Sequence, residues 1–98
     1  MTVRRLEDEQ IAVQLQQVPK WSVVNRKLQR KFLFRDFVEA FGFMARVALL
    51  AEKLGHHPEW FNVWNEVKID LSTHECDGIS ERDFALARSI DALASDSE

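Results

Sequence analysis

One cysteine, two prolines, three glycines and no long apolar run set the first limits on this 98-residue chain. A lone thiol, Cys76, excludes an intrachain disulfide framework and fits a reducing compartment. No run approaches the roughly 18 apolar residues that a membrane span needs. The opening MTVRRLEDEQ has no apolar stretch after its arginines and so does not resemble a secretory signal. A cytoplasmic location is the expectation. Net charge is −3 with both signs interspersed, so nothing offers the concentrated Lys and Arg on which nucleic-acid binding rests. There is no internal repeat, no low-complexity tract and no Pro/Gly/Ser-rich linker. The expectation is one domain over residues 1–98 that binds neither membrane nor nucleic acid directly.

What is present is an alternation of helical and strand patterns. Residues 5–17 place Leu6, Ile11, Val13 and Leu15 among Glu, Asp and Gln, an amphipathic first helix stopped by Pro19. Residues 21–25 and 28–34 are rich in β-branched and aromatic side chains and are separated by Asn25-Arg26-Lys27, which predicts a hairpin. Asp36 is placed to cap a long helix over 37–54, and Gly55 and Pro58 are placed to end it. Its polar residues Glu39, Arg46 and Lys53 recur every seven and leave only a narrow wet stripe. Phe37, Phe41, Met44, Val47, Ala48 and Ala51 lie toward one side; Val38, Ala45 and Leu49 lie toward another. A helix apolar over that much of its circumference needs cover on more than one side. In a domain that buries only about 60% of its unfolded surface, a second subunit can supply it.

A second strand pair is predicted over 59–64 and 67–73, where Val67, Ile69 and Leu71 alternate with polar residues. Ser80-Glu-Arg-Asp83 resembles a capping box with Asp in the place of Glu, followed by a helix carrying Phe84, Ala87, Ile90 and Leu93. The order α-β-β-α-β-β-α predicts an α+β fold, a four-stranded antiparallel sheet with helices packed on one face.

All three histidines, His56, His57 and His74, fall within nineteen residues, and Glu52 precedes His56 by one helical turn. Imidazole, with an ordinary pKa of about 6.5, suits proton transfer in both directions near neutral pH, so the cluster is a candidate acid/base centre. All three lie near chain bends rather than in the expected core, His74 at a strand end. Other readings stand beside this one. The pair before Pro58 can be polar loop material, and His74 can bond a backbone carbonyl. A zinc site from His56, His74 and Cys76 is conceivable if 74 and 76 share a strand face, but no Cys-x-x-Cys or His-Glu-x-x-His pattern supports it. Cys76 reads as a small packing residue. Trp60, Phe61 and Trp64 are expected in the core.

Glu52-Lys-Leu-Gly-His56-His57-Pro58-Glu-Trp60-Phe-Asn-Val-Trp64, then Leu71-Ser-Thr-His74-Glu-Cys76, then Gly78-Ile-Ser-Glu-Arg-Asp83, resembles the pterin-4a-carbinolamine dehydratases. Trp21 and the stretch Phe34–Met44 extend the resemblance over nearly the whole chain beyond the first helix. It implies the fold already predicted, and homodimers or homotetramers packed through helix 37–54. It implies a lyase whose substrate is a 4a-hydroxytetrahydropterin, with no metal and no cofactor beyond that substrate. His56, His57 and His74 are then the catalytic candidates. Glu52, Pro58, Ser72, Thr73, Glu75 and Cys76 are the substrate-binding candidates, Glu52 orienting an imidazole or accepting from the pterin's amidine-like edge. Some animal members also bind the dimerisation segment of a homeodomain transcription factor, a role for which nothing in this sequence speaks.

Overall fold

The structure is a computed structural model, and it describes residues 3–95. Its elements run α1 (Asp8–Leu15), β1 (Ser22–Val24), β2 (Lys27–Leu33), α2 (Phe37–Leu54), β3 (Glu59–Val63), β4 (Glu66–Leu71), a 3-10 turn (His74–Cys76) and α3 (Glu81–Ser95). The strands form one antiparallel sheet in the order β1-β2-β4-β3. This is the α+β order expected from the sequence.

The inner face of the sheet is built by strand alternation. Leu28 and Phe32 of β2, with Val67, Ile69 and Leu71 of β4, are buried against α2 and α3. Phe43 of α2 packs its ring 4.9 Å from that of Phe32 and 4.8 Å from that of Phe34. That contact decides which stripe of α2 is covered. Ala40, Phe43, Val47 and Ala51 are buried, whereas Phe37 and Phe41, assigned above to the same side as Val47, stand exposed. Val38 and Leu49 are more exposed still, at 79% and 73%.

Buried Arg30 is accommodated by charge pairing. Its guanidinium lies 2.6 Å from Asp91 of α3, which also accepts from Trp21 Nε1 at 2.7 Å, and it stacks 4.1 Å over the Phe32 ring. This ties the start of β1 and the middle of β2 to the last helix.

Four local details differ from the sequence expectation. Helix α1 begins at Asp8 rather than residue 5, because Leu6 N–H donates to the Ile79 carbonyl at 2.8 Å and Glu7 is held extended as the N-cap. The β1–β2 connection is two residues, Asn25 and Arg26, both at positive φ, and Lys27 already belongs to β2. Trp64 is not core: Val63 pairs with Glu66, leaving Trp64 in the turn at φ 49° and exposed. Phe61 is exposed as well, on the uncovered side of the sheet, where Lys68 lies 5.9 Å from its ring.

Candidate active site

The termination of α2 positions the two adjacent histidines. Asp36 Oδ1 caps the helix start by accepting from Glu39 N–H at 2.9 Å, and Gly55 ends the helix in the left-handed region at φ 66°. His56 N–H then bonds back to the Ala51 carbonyl at 3.2 Å, and the chain leaves the helix axis into His57 and Pro58. A side chain with a Cβ would strain this reversal, which is why glycine occupies it.

His74 is set by a different device. After β4 ends at Leu71, Thr73 N–H donates to the Gly78 carbonyl at 2.8 Å and closes residues 74–77 into a small loop. His74 therefore sits exposed on a 3-10 turn, three residues beyond the end of β4, rather than at a strand end as expected. Within that turn His74 and Cys76 are not alternate strand residues. The Cys76 thiol faces the carbonyls of Thr73 and Gly78 at 3.6 and 3.8 Å. Among the described residues no three His, Cys, Asp or Glu side chains come together as a metal site.

The centre of the polar network is Asp83, in the first turn of α3 and fully buried. Its Oδ2 accepts from Ser80 N–H at 2.9 Å, the backward half of the capping box, and from Thr73 Oγ1 at 2.9 Å. Its Oδ1 lies 2.6 Å from His56 Nε2. A carboxylate is an acceptor, so Nε2 carries the proton and Nδ1 is left as the basic nitrogen of neutral His56. This carboxylate–imidazole pairing fixes the tautomer and the orientation of the ring. Thr73 Oγ1 and Ser80 Oγ, 2.6 Å apart, complete the buried network.

The other candidates fall into two groups. Ser72, Thr73 and His74 form one wall of a cleft of about 230 Å³, whose opposite wall is the β1–β2 turn at Asn25, Arg26 and Lys27. His57 and Glu52 instead pair with each other on the surface, Nε2 to Oε1 at 2.5 Å, outside the lining of that cleft. Glu75 is likewise exposed and paired with Arg82 at 3.0 Å, Pro58 is half-buried, and neither lines the cleft. Asp83 stands in the motif and in the expected capping box, but the sequence gives it no catalytic or binding role. The capping pattern Ser80-x-x-Asp83 was the signal for one oxygen, and only the packing of α3 beside His56 reveals the other.

A family model for pterin 4 alpha carbinolamine dehydratase matches residues 4–93. Relatives provisionally named pterin-4-alpha-carbinolamine dehydratases include one from Prochlorococcus marinus (strain MIT 9313), 50% identical over 93 residues, covering 95% of this chain and 97% of its own. Another, from Burkholderia multivorans, is 51% identical over 94 residues, covering 94% of this chain and 92% of its own. The fold is similar to the crystal structure of a transcriptional coactivator/pterin dehydratase from Brucella melitensis. There the TM-score is 0.90 at 44% identity, over 93% of this chain and 99% of that one. A pterin dehydratase-like protein identified as a RuBisCO assembly factor in the alpha-carboxysome is more distant, at TM-score 0.63 and 27% identity, over 76% of this chain and 86% of that one.

Proposed function

This chain belongs to the pterin-4a-carbinolamine dehydratase family, and we propose that it removes water from 4a-hydroxytetrahydropterin by histidine acid/base catalysis. The observation that carries the reading is the buried Asp83–His56 pair, joined through Thr73 to a cleft that has His74 in its wall. The N5 lone pair pushes toward C4a as the C4a–O bond breaks, and the hydroxyl departs as water once an acid has protonated it. N5 then gives its proton to a base, leaving the quinonoid dihydropterin. The reaction needs an acid near the hydroxyl and a base near N5, and electrons only shift within the ring. His56 or His57 is the donor in this scheme and His74 serves the other end of the proton circuit. Assistance of this kind contributes about 10²–10⁴-fold.

The place of such a reaction is pterin recycling, because aromatic amino-acid hydroxylases leave their pterin as the 4a-carbinolamine. The single thiol suits the reducing cytoplasm, and among the described residues no helix is long and apolar enough to cross a membrane. Chemically generated 4a-carbinolamine supplies the test. Its loss, followed by absorbance, should accelerate in proportion to added protein; a rate equal to that of the buffer would end this reading.

A second reading, an interaction module whose long helix recruits the helix of a partner protein, draws on the uncovered face of α2. Phe37, Val38, Phe41 and Gly42 line an almost wholly apolar groove of about 460 Å³, and Leu49 continues the exposed surface. The occupant we propose is a second copy of this chain, giving a homodimer or homotetramer. Light scattering at micromolar concentration should report one of these. Leu49→Asp should shift the protein toward monomer, since a charge buried without a partner in an interface is costly. A wild-type monomer would leave the groove to a different partner.

A further inference from the structure

We propose that Thr73 is the positioning residue that fixes His56 and His74 relative to each other for dehydration. This rests on the dehydratase reading and deepens it by naming what sets the spacing of the two ends of its proton circuit. Thr73 lies between β4 and the 3-10 turn and is 1% exposed, with backbone and side chain both engaged.

The backbone of Thr73 holds His74. Its N–H donates to the Gly78 carbonyl at 2.8 Å, and its carbonyl accepts from Cys76 N–H at 3.2 Å and from Gly78 N–H at 3.4 Å. The turn on which His74 stands is thus closed by bonds that all start from one residue.

The side chain of Thr73 holds His56 through Asp83. A hydroxyl has one proton to give and an ionised carboxylate only accepts, so the Thr73 proton goes to Asp83 Oδ2 at 2.9 Å. Ser80 Oγ, 2.6 Å away, then donates to Thr73 Oγ1, and it accepts in turn from Arg82 N–H at 3.2 Å. The chain of bonds therefore runs one way, from the start of α3 through Thr73 to the carboxylate. With Ser80 N–H also on Oδ2, that oxygen is held from two sides, and Oδ1 is left aimed at His56 Nε2. The family resemblance places Thr73 among the substrate contacts, yet its only hydroxyl proton is spent inside the protein. His56 follows α2 and His74 follows β4, and Thr73 is bonded to the supports of both. Misplacing a reacting group by about 1 Å can cost about 10²-fold in rate, which is the scale of effect that such an anchor governs.

The test removes the hydroxyl and keeps the shape. Thr73→Val in the full chain should lower kcat for 4a-carbinolamine dehydration by about 10- to 100-fold with KM little changed. Thr73→Ser, which restores the hydroxyl, should recover most of that rate. Valine leaves the buried Ser80 hydroxyl without an acceptor and so lowers the melting temperature. The double variant Thr73→Val, Ser80→Ala removes both hydroxyls together, so melting should return toward wild type while kcat stays low. A readout independent of turnover is the nitrogen NMR signature of isotope-labelled histidine. The neutral His56 ring should be a single Nε2–H tautomer in wild type and a mixture of tautomers in Thr73→Val. Wild-type kcat in Thr73→Val, a change in KM alone, no rescue by Thr73→Ser, recovery of kcat in the double variant, or an unaltered ring signature would overturn the proposal. A wild type that does not accelerate dehydration would instead overturn the function proposed above, and the ring signature would still decide whether Thr73 sets His56.

Discussion

Asp83→Ala should lower the stability of the fold by about 3–5 kcal/mol, since each buried donor left without an acceptor costs about 1–3 kcal/mol. Three donors converge on this carboxylate, and all three lose their acceptor together: Ser80 N–H, Thr73 Oγ1 and His56 Nε2. A domain of this size has on the order of 5–15 kcal/mol in total, so the melting temperature should fall by roughly 15 °C or more. Asp83→Asn separates the structural role from the positioning role. The amide keeps the shape and one oxygen for the helix cap, so most of the stability should remain. Its NH₂ then faces His56 and demands a lone pair on Nε2, moving the proton to Nδ1 and reversing the tautomer. Dehydration should slow by about 10²-fold or more while thermal melting changes little. An Asp83→Asn protein with wild-type kcat/KM would remove Asp83 from the mechanism and leave it as a helix cap.

The second large effect concerns the histidines together. His74→Ala changes an exposed side chain and should leave melting unaltered while slowing dehydration. His56 is different. Its side chain is only 11% exposed and partners a buried carboxylate, so His56→Ala should destabilise, contrary to the expectation that all three histidines lie outside the core. His56→Gln retains a donor for Asp83 without the titrating ring and isolates the loss of chemistry. The His56→Gln, His74→Ala double variant should fall toward the uncatalysed rate, a loss of about 10²–10⁴-fold, with each single change costing less because water replaces one proton carrier in part. His57→Ala, which removes a surface pair with Glu52, should be the mildest in stability. Prolonged exposure to a strong chelator should not alter the rate. Full activity in the double variant would sink the histidine mechanism, and chelator inactivation reversed by zinc would transfer the site to a metal.

Much of this protein was legible along the chain. The α-β-β-α-β-β-α order, the bounds of α2, its Asp36 cap and its Gly55 terminus all follow from residues a few positions apart. So does the capping role of Asp83 toward Ser80. Periodicity, capping and turn chemistry are governed by backbone sterics and hydrogen bonds over that short range, which is why sequence carries them. The histidine motif and its family are also written in spacing. What spacing does not carry is direction. His56 meets Asp83 across 27 residues because α3 packs beside the end of α2, while His57, one residue along, turns outward to Glu52. Phe43 rather than Phe37 or Phe41 enters the core because the sheet offers Phe32 and Phe34 only at that height on the helix. Burial and long-range pairing depend on how whole elements dock, a collective free energy of excluded water and filled volume that no short window of residues contains.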